Sequence, residues 1–180
     1  MEHIESDNPI KKIPKILEPL AEEARKYKTP EEFARAFSIY NMHGRYWHIT
    51  DDPNFTIKNI SPRDLSTMGT GRGARVGLMV TSNPEWWSEH FPERKYIAEI
   101  DMSKAIPDKD YKLVDRGFGH EIFIHNLNSV KVKRVYPLKS GLQAYRRYFD
   151  ALSKYLTCKE DAINFWRLAQ EEEKKEHIEA

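Results

Sequence analysis

Arg45-Tyr46-Trp47-His48-Ile49-Thr50 has the composition of an extended strand, and it ends on the turn residues Asp51-Asp52-Pro53-Asn54. Side chains along a strand alternate between faces, so Tyr46, His48 and Thr50 share one face and Trp47 and Ile49 the other. Taken alone, a histidine within a strand is more often structural than functional. Here it stands near a strand end, next to a loop, where sites are often built.

Outward from this strand the chain changes period twice. Pro9, Pro14 and Pro19 punctuate the start, and a first helix is predicted over 19–28. Thr29-Pro30-Glu31-Glu32 is a capping box with proline at the first helical position. It opens a helix over 31–39 that turns Phe33, Ala34 and Phe37 inward. Residues 44–137 read as strands bounded by Gly, Pro, Asn and Asp, at 45–50, 75–81, 96–101, 111–114, 121–125 and 130–136. One helix interrupts them over 85–91, with Asn83 as its cap and Pro84 at its first position. Residues 61–74 read as a long loop, and long loops in compact domains tend to be functional.

From Leu138 the helical period returns. Leu142, Tyr145, Phe149, Leu152 and Leu156 form an apolar stripe that suits a dimer as well as an intramolecular hairpin. Thr157-Cys158-Lys159-Glu160 is a second capping box, and Ala162, Ile163, Trp166 and Ala169 line the helix it starts. Residues 171–180 carry no stripe and are expected to fray. The chain therefore divides into an α+β domain over 1–138 and a helical appendage over 139–180 packed on that domain.

The 180 residues carry 29 Lys and Arg against 28 Asp and Glu, a formal charge of +1. Such a balance excludes indiscriminate binding of nucleic acid by the whole surface. It also conceals a local excess: Lys131, Lys133, Arg134, Lys139, Arg146, Arg147 and Lys154 face Asp150 alone between residues 131 and 154. No apolar run approaches the roughly 20 residues of a membrane span, and the start lacks the basic and apolar regions of a secretory signal. One cysteine, Cys158, excludes an internal disulfide and a cysteine-based zinc cluster. The expectation is a cytoplasmic protein.

Two further segments carry chemistry. Gly117-Phe118-Gly119-His120-Glu121-Ile122-Phe123-Ile124-His125 places a glutamate at the head of an apolar strand, just after two glycines that permit close approach of a ligand. Gly77-Leu78-Met79-Val80-Thr81 runs into the aromatic helix that holds Trp86, Trp87, Ser88, His90 and Phe91. An aromatic side chain there is suited to stack on a flat heterocycle.

Together the three segments resemble the ADP-ribosyltransferase superfamily, in its poly(ADP-ribose) polymerase-like and DarT-like branches. Trp47-His48-Ile49-Thr50 is similar to the histidine motif, Gly77–Thr81 to the second strand, and Glu121-Ile122-Phe123-Ile124-His125 to the strand of the catalytic glutamate. The resemblance covers about half the chain, residues 44–137. It implies a split, mixed β-sheet core with N-terminal helices and a C-terminal helical hairpin. It further implies NAD as co-substrate, no metal, and mono-ADP-ribosyl transfer to a protein or nucleic-acid acceptor, as in a toxin or effector.

By the same resemblance Glu121 is catalytic and His48 meets a ribose hydroxyl. The Ile49 backbone holds the carboxamide, and Thr50 supplies a neighbouring hydroxyl. Met79 stands where the family has a stacking tyrosine, which leaves the triad incomplete. Ser88, His90 and Phe91 join the cofactor-binding set, with Trp87 as a further stacking candidate. Arg63 and Arg72 suit the pyrophosphate, since guanidinium forks pair with phosphate. Arg116 and Phe118, just before Glu121, are the expected acceptor contacts. Glu99 competes with Glu121 but lies on a strand that resembles the non-catalytic one, where an exposed structural role is expected. The chemistry suits these residues: cleavage of the nicotinamide–ribose bond passes through an oxocarbenium-like state, and one preorganised group at such a site is worth about 3–4 kcal/mol. Two other readings stand beside this one, an RNA 2′-phosphotransferase-like enzyme and a degenerate binding module, which Met79 favours.

Overall fold

Thr29 Oγ1 accepts a hydrogen bond from Glu32 N at 3.2 Å, and Pro30 takes the first helical position. The capping box thus starts a helix as its sequence predicts, and Asn41, in the left-handed region at φ 54°, ends it. A computed structural model describes residues 10–114 and 121–179 of the chain. Its helices are α1 (Glu18–Ala24), α2 (Pro30–Tyr40), α3 (Pro84–His90), α4 (Leu138–Tyr155) and α5 (Lys159–Glu179). Its strands are β1 (Tyr46–Thr50), β2 (Leu65–Met68), β3 (Arg75–Thr81), β4 (Tyr96–Asp101), β5 (Tyr111–Val114), β6 (Glu121–Ile124) and β7 (Lys131–Pro137). The fold is α+β. Among the described residues, no helix is long and apolar enough to cross a membrane.

All seven strands form one sheet in the order β5-β6-β3-β1-β4-β7, with β2 paired to β3 beside β1. Every strand pair is antiparallel, which corrects the expected mixed sheet. β2, missed in the sequence, lies inside the segment expected to be loop and pairs with Arg75–Leu78 of β3.

The sheet is interrupted between β1 and β3, and the β4–β7 ladder shifts register between Glu99 and Ile100. β1 and β4 pair through five successive residues, from Tyr46 opposite Ile100 to Thr50 opposite Tyr96. β1 and β3 share a single register pair, Trp47 opposite Thr81. Since β2 takes Arg75–Leu78 of the same β3 edge, Met79 and Val80 lie between the two partners and are paired only on their other edge, to Phe123 and Ile122 of β6.

Both faces of the sheet are covered. On one face Tyr46, Phe55, Leu78, Val80, Ile122 and Ile124 belong to one apolar cluster. On the other, Trp47, Ile49 and Ile97 pack with Tyr145 of α4, and Trp87 lies against them. Gly141 lets α4 approach this closely, because a Cβ there would lie 1.9 Å from Ile97 Cγ2. Glu99, expected to be exposed, is buried: it accepts from Arg45 Nε at 3.1 Å and pairs with Nη2 as well. A carboxylate on a strand covered on both faces needs such a partner.

The helices close a separate core in which Leu17, Leu20, Phe33, Leu152 and Phe165 are buried. The rings of Phe33 and Phe165 stack at 6.3 Å. The α4 stripe differs from expectation by one position: Tyr148 is buried and Phe149 is 41% exposed. The Tyr148 hydroxyl donates to His43 O, and the Arg45 guanidinium covers its ring at 5.4 Å, so its neighbours set the helix rotation. At the head of α5, Thr157 N and Oγ1 both donate to Asp161 Oδ2 at 2.8 Å, so Asp161 closes the box around Thr157. The expected fraying beyond residue 170 is not seen. α5 continues to Glu179, and Glu172 Oε1 accepts from Ile13 N at 3.2 Å.

Candidate functional site

A cavity of about 310 Å3 opens where β1 parts from β3. Its walls come from β1 (Trp47, His48, Ile49), β3 (Met79, Val80, Thr81), Ser66 and Thr67 of β2, and Trp87 of α3. Arg63, Asp64, Phe91 and Arg94 complete the lining from connecting segments. Its size is at the lower end for ligand pockets, which run from about 300 to 1,000 Å3. That is room for a flat ring and a sugar, with the rest of a larger ligand left outside.

His48 sits 6% exposed at the break in the sheet. Its Nδ1 lies 2.9 Å from Met79 O and its Nε2 lies 2.8 Å from Asp64 Oδ1. A carbonyl and an ionised carboxylate are both acceptors, so the ring meets an acceptor at each nitrogen. Thr50 Oγ1 donates to the other Asp64 oxygen at 3.1 Å, and Arg94 Nη1 lies 3.9 Å from Oδ1. Burial pushes the Asp64 carboxyl up, but the His48 hydrogen bond and charge, the Thr50 hydroxyl and the Arg94 guanidinium hold it below its ordinary 3.8.

Arg94 spans the mouth. Nη1 donates to Ile49 O at 3.0 Å and Nη2 to Arg63 O at 3.3 Å. Its guanidinium lies 4.6 Å from the centre of the Phe91 ring, which stacks parallel on Trp87 at 5.4 Å. The aromatic wall and the strand end are thereby joined. The indole N–H groups of Trp47 and Trp87 are buried and find no acceptor among the described residues.

The candidates from the sequence divide by position. His48, Ile49, Met79, Phe91 and Arg63 line the cavity, as does Trp87. Arg63 is exposed and paired with Asp51 at the rim. Thr50 is buried behind the lining, on Asp64. Ser88 Oγ donates to Glu85 O at 2.8 Å, and His90 stacks on Trp86 at 3.8 Å, so neither joins the lining. Arg72 is exposed in a 3-10 turn, Gly71–Gly73, outside it. Arg116 and Phe118 lie outside the described residues.

Glu121 is buried at the head of β6, opposite Thr81 in register. Partners across a ladder share a face, so Glu121, Thr81 and Trp47 lie on one face, and His48 lies on the other by alternation. Glu121 is therefore one strand away from the cavity, next to its Thr81 wall, and not in the lining itself.

Asp64 and Arg94 are the residues that sequence reasoning missed. Asp64 lay in the segment singled out for its length, while nothing distinguishes Arg94 from ordinary surface charge in Pro92-Glu93-Arg94-Lys95. Among the described residues no group of three or more His, Cys, Asp and Glu is placed to hold a metal. Comparison with known proteins yields no match to a family model, a curated protein or a solved structure.

Proposed function

We propose that the protein is an NAD-dependent mono-ADP-ribosyltransferase acting on a macromolecular acceptor, protein or nucleic acid. The observation that carries this reading is the adjacency of three strands. β1 with His48, β3 with Met79 and Thr81, and β6 with Glu121 are neighbours in the sheet, and the cavity opens at the break between the first two.

In this reading the nicotinamide ring lies against Trp87 and Phe91, where an aromatic face favours a flat ring. Arg63 at the rim meets the pyrophosphate as a charge-assisted donor. The ribose extends past Thr81 toward Glu121. The bond between ribose C1′ and the nicotinamide nitrogen breaks, and nicotinamide departs with the electron pair as a neutral base. The carboxylate of Glu121 stabilises the positive charge that develops on the ribose. The acceptor then forms its bond to C1′ and gives its proton to Glu121 or to water. His48 braces the strands, since both ring nitrogens are engaged, and it meets a ribose hydroxyl only by exchanging one of those bonds. No metal is required.

The test is release of nicotinamide, or label transfer from NAD, by the wild type and by Glu121→Gln. A loss of at least 100-fold in the variant, with the fold intact by circular dichroism, is expected. Equal rates would remove Glu121 from the reaction, and absence of NAD binding by calorimetry would remove the reading altogether. A second reading, a binding module of the same architecture, is favoured by one observation: Met79 lines the cavity where a stacking ring would serve the reaction. NAD binding without turnover would select it.

A further inference from the structure

At the break in the sheet two backbone carbonyls have lost a strand partner, and each is met by a side chain. Met79 O faces His48 Nδ1 at 2.9 Å, and Ile49 O accepts from Arg94 Nη1 at 3.0 Å. Buried backbone acceptors without partners are costly, so these bonds allow the ladder to stop. Both side chains meet at one carboxylate: Asp64 Oδ1 is 2.8 Å from His48 Nε2 and 3.9 Å from Arg94 Nη1, while Oδ2 is held by Thr50.

We propose that Asp64 is the positioning residue of this site, aligning His48 and Arg94 so that β1 and β3 stay apart at a fixed width. A fold that needed only to be closed would continue the β1–β3 ladder through Ile49 and Met79. The chain instead buries a carboxylate, which a core does not need, since replacing buried ion pairs by apolar residues is often neutral or stabilising. Asp64 is suited to the role by its place. It directly precedes β2, so its bonds tie the start of β2 to the end of β1 while β2 itself pairs with β3. The three strands that frame the cavity are thus referred to one carboxylate. The effect on turnover rests on the NAD reading, whereas the effect on the His48 ring does not.

The test uses the full chain and two variants, Asp64→Asn and Thr50→Val. Long-range 1H–15N spectra report the His48 ring nitrogens directly. Asp64→Asn is expected to move both ring signals, and Thr50→Val to move them less, with the carboxylate retained. In NAD turnover Asp64→Asn is expected to lose at least tenfold. The double variant with His48→Gln is expected to be no worse than His48→Gln alone, because residues that act through one another are not additive. His48 ring signals unchanged in Asp64→Asn, or strictly additive losses in the double variant, would overturn the proposal. Should Asp64→Asn fail to fold, an unmoved His48 ring in Thr50→Val has the same consequence. Moved ring signals in a protein whose wild type neither binds nor turns over NAD would sink the NAD reading and leave the positioning role standing.

Discussion

The two edges of β1 use similar side chains to opposite ends. Along β4 each residue of the strand has a partner, and the buried Glu99 with Arg45 lies over a continuous ladder. Along β3 one residue has a partner, and the buried Asp64 with His48 stands where the ladder stops. The cavity beside Glu99 has about 30 Å3, the space of a water molecule, against about 310 Å3 beside Asp64. A buried carboxylate with a basic partner is therefore no marker of a site by itself. What distinguishes the site is the backbone around the pair: on one edge the peptide groups satisfy one another, and on the other, side chains have taken over that task.

The largest effect belongs to the closed edge. Arg45→Ala leaves the buried Glu99 with the exposed Lys133, 3.7 Å away, as its one remaining ion-pair partner among the described residues. Breaking a buried pair in this way costs about 3–5 kcal/mol, and urea denaturation is expected to show a loss near the lower figure. A loss under about 1 kcal/mol would mean that the ladder alone holds this edge. Next comes Gly141→Ala, which drives a methyl into Ile97 behind the same edge. Overpacking of this kind costs about 1–3 kcal/mol, and the melting temperature is expected to fall while any NAD affinity stays within threefold.

The smallest effect belongs to the open edge and depends on pH. The Asp64 carboxyl lies below 3.8 in the folded chain and at its ordinary value when unfolded. Its contribution is therefore complete well above pH 3.8 and disappears as the pH falls through the lower folded value. Asp64→Asn should show a shallower loss of stability than the wild type between about pH 5 and 2. Parallel pH profiles for the two proteins would show that Asp64 gains nothing from its partners.

Much of this contrast was legible in the sequence, and the part that was not has a physical reason. β3, β4 and β5 could be read to the residue, because a short run rich in apolar, β-branched and aromatic residues is a local property. β2 escaped because Leu65-Ser66-Thr67-Met68 sits in a stretch rich in Ser, Thr, Gly and Arg that reads as loop; only pairing to β3 makes it a strand. His48 and Glu121 were visible as polar groups in apolar strands. Asp64 and Arg94 were not, since their roles come from partners 16 and 45 residues away in the chain. The rotation of α4 about Tyr148 likewise depends on His43, 105 residues earlier.

The helical layer also constrains how the chain reaches its native state. Ile13 is bound to Glu172, Arg25 Nε to Ala169 O, and Trp166 Nε1 to Tyr27 O, across separations of 159, 144 and 139 residues. α1 has seven residues and α2 eleven, too few to persist as isolated helices in water. Their apolar faces stay open until α5 has been synthesised and has docked, a closure over most of the chain and hence a slow one. During synthesis α1 and α2 emerge before α5, and without it Leu17, Leu20 and Phe33 are surface that a chaperone or another unfinished chain can bind.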